Sequence, residues 1–348
     1  MMKPPKSIRT KSSWIGSDIV QQVDKWIWQL NDEEIDALER ACNKFLEQNN
    51  SLENINTDSF DCPSLNNKFR KIRNELTDGT GFKVISGLDV SRYSRREIAT
   101  IFMGIGSQIG SPRSQNAAGD LLGHVRNIGG DAKDTSTRIY QTNERQTFHT
   151  DSCDVVGLIC LKTAKQGGES LLVSAESIYN AMMKKNPHLT SLLFDPIATD
   201  KIGEVELGEN PYFNIPVFNW FNNRLTVIYQ RQYIDSAQRF DSVKAHSAEL
   251  VKALDLFDSM ANDPSLNFSM WLQPGDIQLV HNHSLLHDRR SFEDWPGQTE
   301  KRHLLRLWLS VPNDRELPPS FAQRFSTVNI GDRGGVIVEG TKLQVTID

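Results

Sequence analysis

Apolar and polar positions recur with two different periods along this chain, and the change of period divides it. In SDIVQQVDKWIWQL, Ile19, Val23, Trp26, Ile27 and Leu30 fall on one face at helical spacing, with Ser17 as the cap. NDEEIDALERACNKFLEQNN repeats the pattern through Ile35, Leu38, Cys42, Phe45 and Leu46; Asn31 caps it and Glu34 completes a capping box. GFKVISGL, Gly81 to Leu88, predicts a strand that ends in a turn. From Ile139 onward the texture becomes that of short strands. VVGLICL and SLLVS are apolar runs separated by KTAKQGG, a polar turn with paired glycines. Helical AESIYNAMMKKN opens a mixed stretch over 175–265 that also holds strand-like RLTVIYQ and helical SAELVKALDLFDSM. FSMWLQPGDIQLV then reads as strand, Pro-Gly turn, strand, and RHLLRLWLSVP as a last strand.

Short antiparallel strands with Pro/Gly turns and a large insertion predict a mainly β fold with helices, a barrel or jelly roll. No repeat, low-complexity tract or linker interrupts the chain. The expectation is therefore one domain over 1–348, with a helical N-terminal cap at 1–80, a core at 139–312 and an insertion at 175–265. GIGSQIGS has glycines at 104, 106 and 110, spaced unlike the dinucleotide fingerprint and not led by a strand.

Composition narrows the partners. The 348 residues are 38% hydrophobic and 24% charged, as in ordinary globular proteins. No apolar run approaches the ~20 residues of a membrane helix, and the basic N-terminus lacks the apolar core of a secretory signal. A cytoplasmic protein is expected. A formal charge of −5 gives no electrostatic reason for nucleic-acid binding. Cys42, Cys62, Cys153 and Cys160 form no CxxC pair, so reduced thiols are expected.

Candidate chemistry centres on QTFHTDSCDVVGLICL. Residues two apart on a strand share a face, so His149 and Asp151 converge while Thr150 turns away. An imidazole and a carboxylate so placed supply two facial positions on an octahedral metal. A second histidine would complete the arrangement of non-haem Fe(II) oxygenases, with three positions left open. GDIQLVHNHSLLHDRRSF offers His281, His283 and His287, which alternation alone does not separate. Downstream, Arg302, Leu304, Arg306 and Trp308 share one face of a strand; His303, Leu305, Leu307 and Leu309 share the other. Two arginines on an otherwise apolar strand are costly to bury without an anion, and a guanidinium fork suits a carboxylate.

The order FHTD, GGES, GDIQLVHNHSLLH, RHLLR resembles that of the Fe(II)/2-oxoglutarate-dependent dioxygenases of the TauD/TfdA group, which includes taurine dioxygenase and clavaminate synthase. The resemblance runs from about Gly81 to Pro312 and implies a double-stranded β-helix (jelly roll) core. It implies His149 and Asp151 as the first two metal ligands. Counting five residues on from Asn282, as the family pattern does, gives His287 as the third. The first arginine of RxxxR, Arg302, would grip the far carboxylate of 2-oxoglutarate, and Arg306 would touch cosubstrate or substrate. Ser170 stands where relatives carry a threonine that adds a hydroxyl to that carboxylate. Because Asp151 is present, the resemblance points to oxygenation or desaturation rather than halogenation, with Fe(II), 2-oxoglutarate and O2 consumed together.

Substrate-side candidates are Tyr140, Thr142 and Phe148 on the approach to the metal pair, and Arg113, Gln115 and Asn116 in PRSQNAAGDLLGHV. Cys153 reads either as a thiol near the metal or as a small core residue. The function expected is oxidation of a C–H bond in a small carboxylated metabolite, such as an amino acid or a natural-product intermediate. Cyclisation or C–N bond formation by the same chemistry, a catalytically silent jelly-roll binding protein and a zinc hydrolase are the alternatives.

Overall fold

Two facing β-sheets carry the centre of the protein, a computed structural model that describes residues 4–130, 138–205, 208–297 and 300–347. In chain order the strands of these sheets are β1 (Ile27–Gln29), β2 (Phe82–Ser86), β3 (Ser111–Arg113), β4 (Leu122–Val125), β5 (Gln146–His149), β6 (Val155–Lys162), β7 (Ser170–Ser174), β8 (Asn267–Met270), β9 (Ile277–His281), β10 (Leu285–Arg289) and β11 (His303–Ser310). The larger sheet runs β1-β2-β9-β6-β11-β3, with β4 also paired to β11; the smaller runs β8-β7-β10-β5. Only the β1–β2 pairing is parallel among these. The two sheets face each other as a jelly roll without closing into a barrel. Four strands of the larger sheet lie before residue 139.

Alternation along β11 explains the layering. Leu305, Leu307 and Leu309 pack with α1 (Asp32–Glu47), α2 (Asn66–Asp78) and α3 (Arg95–Ile109), while Leu304 and Trp308 enter the space between the sheets. On the smaller sheet, Leu171, Val173 and Leu286 pack outward against α4 (Ala175–Lys185) and α5 (Ala248–Ala261) of the insertion, through Ile178, Met182 and Phe257. Strands buried on both sides read as nearly continuous apolar runs, which is why VVGLICL and SLLVS were so legible. The capping box of Asn31 and Glu34 on α1 forms as the sequence predicts.

FSMWLQPGDIQLV folds as two strands, but not as a hairpin: β8 pairs with β7 in the smaller sheet and β9 with β2 and β6 in the larger. The Pro-Gly turn carries the chain from one sheet to the other. Gly275 there has φ +96°, and a Cβ would stand 1.7 Å from Leu88 O.

The first helix predicted from the sequence breaks into pieces. SDIVQQVDKWIWQL forms short helices at Gly16–Ile19 and Val23–Trp26 and then β1. Ser17 caps neither, and Val23 is exposed. Pairing of Ile27 and Trp28 with Val84 and Ile85 on β2 overrides the helical periodicity, as tertiary context often does for β-branched and aromatic residues. Trp26 instead joins Trp14, Phe82 and Phe268 in an aromatic cluster with centroids 5.5–5.8 Å apart. Phe268 touches all three other rings, so Phe268→Ala is expected to cost about 3–5 kcal/mol, read as a lower urea midpoint.

Candidate active site

β5 and β10 are neighbours, and their register sets His149 directly opposite His287. Opposed residues of an antiparallel pair share a face, and the two imidazole centroids are 4.1 Å apart. β5 ends at His149, so Asp151 comes from the loop that follows rather than from strand alternation. Asp151 N donates to Asn282 Oδ1 at 3.0 Å, and Asn282 Nδ2 donates to Cys153 Sγ at 3.2 Å, which fixes that loop. The Asp151 carboxylate then lies 3.8 Å from His149 Nε2 and 3.7 Å from His287 Nε2. All three ligand atoms are within 4.8 Å of one another, and all three side chains are buried.

The alternation that left His281, His283 and His287 equivalent fails because Asn282–Ser284 form the turn between β9 and β10. His281 binds Ser284 Oγ and Asp314 through its two ring nitrogens, and His283 Nε2 lies 2.8 Å from Asp154 Oδ1. Fully buried Arg333 joins Asp154 and Asp314, at 2.7 and 3.0 Å. With both His281 nitrogens and both carboxylates engaged, His281, His283 and Asp314 form a structural network beneath the metal loop. Cys153 is buried against Val155 O and Asn282, and burial pushes its thiol well above the ordinary value.

Hydrogen bonds prepare the donors. His149 Nδ1 donates to Thr147 O at 2.8 Å, so Nε2, which accepts from Gln146 Nε2 at 2.9 Å, carries the lone pair. The register shift between His287 and Arg289 is what lets Gln146 and His149, three residues apart on β5, meet. Burial lowers His149, and burial with His149 beside it pushes His287 down to about 3. Burial alone would raise Asp151, but Arg306 first and then the two imidazoles outweigh it and hold the carboxylate low. Trp308 Nε1 also donates to Asp151 Oδ2 at 2.9 Å. Two neutral imidazoles and one ionised carboxylate fit a divalent ion with open positions.

Two cavities meet at this group. The inner one, of about 480 Å³, is lined by His149 and His287, by apolar Val125, Leu158, Leu272 and Leu304, and by Ser170, Arg289 and Arg302. Arg302 packs beside Gly168, whose φ is +83° and where a Cβ would stand 2.9 Å from Arg302 Nε. Its NH2 donates to Gly168 O at 3.3 Å, its NH1 is buried with no partner among the described residues, and burial pushes its pKa down to about 10. A buried guanidinium with one donor open fits an anionic ligand such as the 2-oxoglutarate carboxylate. Ser170 lines the same pocket but donates its proton to Gln278 Oε1 at 2.9 Å.

The outer cavity, of about 720 Å³, is lined by Asp151, Arg306, Trp308 and Gln115, and by Arg138, Glu204, Tyr233 and Arg324. Arg306 stands between the two. Its NH1 is 3.7 Å from Asp151 Oδ2, its Nε donates to Gln115 Oε1 at 2.7 Å, and it stacks on Tyr140 at 4.7 Å.

Of the substrate-side candidates, Tyr140 and Gln115 line a cavity. The other four do not. Thr142 closes a local turn on Ile139 O, and Phe148 points into the core beneath the smaller sheet because it alternates with His149. Arg113 binds Gly334 O and Asp332, and Asn116 binds Asp120. Gln146, Arg289, Arg138 and Arg324 went unnoticed in the sequence, each being a single residue outside a spaced motif, and Trp308 was read for its strand face but not as a partner of Asp151.

Residues 47–308 match the family described as taurine catabolism dioxygenase TauD, TfdA family. The chain belongs to that family. This TauD/TfdA chain is 29% identical over 321 residues to FR-33289 synthase of Streptomyces rubellomurinus, covering 91% of this chain and 94% of that protein. It is 28% identical over 333 residues to the taurine hydroxylase-like protein SAT17 of Stachybotrys chartarum, covering 91% and 83%. Among solved structures it resembles an asparagine oxygenase in complex with Fe(II), 2S,3S-3-hydroxyasparagine and succinate, at TM-score 0.66 and 14% identity over 82% of this chain and 93% of that one. The non-heme iron oxygenase OrfP, in complex with Fe and alpha-ketoglutaric acid, gives 0.62 and 15% over 81% and 93%. At such identities the likeness is one of fold. As a TauD/TfdA protein the chain is a dioxygenase, with Fe(II), 2-oxoglutarate and O2 as its cofactors.

The buried histidines make stability depend on pH. Burial, against the pull of Asp154, holds His283 at about 4, and His287 at about 3, both below the ordinary 6.5. The unfolded chain therefore takes up protons first as pH falls, so stability declines from about pH 6.5 toward 4. Urea midpoints of the metal-free protein at pH 7.5, 6 and 5 should fall in that order; equal midpoints would contradict this reading.

Proposed function

We propose that His149, Asp151 and His287 hold Fe(II), and that the enzyme oxidises a C–H bond of a small carboxylated metabolite in the cytoplasm. The observation that carries the reading is the convergence of two neutral imidazoles and one carboxylate at the junction of two cavities, one of them ending in an unpaired buried arginine. When bound, the iron with 2-oxoglutarate and O2 supplies hydrogen-atom abstraction, with succinate and CO2 released.

The chain's own residues orient and shield. Arg302, with Ser170 beside it, would take the far carboxylate of 2-oxoglutarate in the inner cavity, which His149 and His287 also line. Leu158, Leu272 and Leu304 exclude water from that cavity. Trp308 and Arg306 keep Asp151 ionised and aimed. Arg306, itself braced by Gln115, divides the cosubstrate from the substrate side.

For the substrate, the outer cavity offers Arg138 and Arg324 together with Glu204. Both arginines already bind Glu204, at 2.6 and 3.4 Å, a mixed-charge wall suited to a carboxylated, polar or zwitterionic molecule. Asparagine oxygenase, and OrfP in complex with a hydroxylated arginine, are relatives in fold that support an amino acid or amino-acid-derived substrate, and FR-33289 synthase supports a natural-product intermediate. Tyr140, stacked on Arg306, lines both cavities and is placed to contact the substrate.

Purified protein with Fe(II), 2-oxoglutarate and O2 should release succinate, faster with the right member of a panel of amino acids and related acids, and His149→Ala or Asp151→Ala should reduce release to background. Wild-type protein that makes no succinate under any of these conditions would refute the assignment. Trp308→Phe keeps most of the ring volume but removes the donor to Asp151. It should weaken Fe(II) binding roughly 10–100-fold in a chelator competition without loss of fold.

A further inference from the structure

Arg289, the last residue of β10, has no role in the reading above. It lies two residues beyond His287 on the same face of the strand, hence ~7 Å along it, and its cross-strand partner in β7 is Ser170. It lines the inner cavity with Arg302. Both guanidiniums pack on the Phe292 ring, at 4.9 and 5.2 Å, and Arg302 is near enough that its charge helps to lower the pKa of Arg289.

Their hydrogen bonding is incomplete in a complementary way. Arg289 NH2 is tied to Glu144 O and Arg302 NH2 to Gly168 O. Arg289 Nε and NH1 and Arg302 NH1 are all buried with no partner among the described residues. Of the acids acting on Arg289, Asp288 binds Arg145, Asp294 accepts from Arg302 N and Asn127 Nδ2, and Glu144 bonds to it through its backbone carbonyl alone. Two like charges and three buried donors without a partner among the described residues are costly unless an anion joins them. Ser170, whose proton goes to Gln278, leaves the Arg289 opposite it as the second donor.

We infer that Arg289 is a second cosubstrate-binding arginine, gripping the far carboxylate of 2-oxoglutarate jointly with Arg302. This rests on the reading of the inner cavity as the 2-oxoglutarate site. A carboxylate offers two oxygens and about four lone-pair positions, enough for both forks. The pair makes the pocket selective for a diacid: a 2-oxo acid without the far carboxylate leaves both guanidiniums unmet.

Anaerobic calorimetric titration of the Fe(II)-loaded protein with 2-oxoglutarate, and with 2-oxovalerate, its five-carbon analogue lacking the far carboxylate, tests this. Arg289→Met should weaken 2-oxoglutarate roughly 10–100-fold, the loss of one or two charge-assisted hydrogen bonds, while 2-oxovalerate binding changes little, so the preference for the diacid shrinks. Arg289→Lys, which keeps the charge and loses the fork, should weaken 2-oxoglutarate by less and stands in if the methionine variant does not fold. Unchanged 2-oxoglutarate affinity in the Arg289 variants alongside loss in Arg302→Met would overturn the inference and leave the cavity assignment standing. Equal weakening of both ligands would also overturn it, as the mark of a disturbed His287. Wild-type protein that binds Fe(II) but not 2-oxoglutarate would overturn the cavity assignment itself.

Discussion

The register between β5 and β10 is the constraint on which the site depends. His149 and His287 come from positions 138 residues apart in the chain, yet the ladder sets them opposite each other. A slip of one residue would turn either ring into the core beneath the smaller sheet, where Phe148 and Leu286 now sit. Burial of Leu171, Val173 and Leu286 against the insertion helices holds that register. The insertion thus fixes this histidine pair from behind, besides walling the outer cavity.

Around this pair the interior is unusually rich in charge, and each charge has a physical reason. Asp151 stays ionised at full burial because Arg306, Trp308 and two imidazoles surround it. One layer below, Asp154 and Asp314 are bridged by Arg333 and capped by His283 and His281. Removing one partner from such a network leaves a buried charge uncompensated, so the loop from Asp151 to Asp154 is rigid through electrostatics as much as packing. Arg289 and Arg302 break the pattern, being buried with donors unmet.

Much of this was legible in the sequence, for identifiable reasons. The strands of the core are long apolar or alternating runs, and α1 announces itself by its capping box. RHLLR is spaced as its strand needs, so the parity of Arg302, Leu304, Arg306 and Trp308 survives in the structure, whereas FHTD converges through the loop that follows β5. What was hidden depended on long-range pairing. Trp28 looks helical until β2 lies beside it. Alternation from His281 to His287 looks continuous until the turn at Asn282–Ser284 interrupts it. Phe148, next to His149 in sequence, faces the opposite side for that very reason. Arg289 and Arg333 belong to no motif, and only the absence or presence of partners in three dimensions gives them a role.

The central claim is that one set of three side chains chelates iron in a way that lets 2-oxoglutarate bind beside it. Its most direct test is the visible spectrum of the anaerobic protein on addition of Fe(II) and then 2-oxoglutarate. The account predicts a weak metal-to-ligand charge-transfer band that needs both components and is lost in His149→Ala, Asp151→Ala and His287→Ala. A folded wild-type protein that shows no such band, or a band that persists when these ligands are removed, would contradict it.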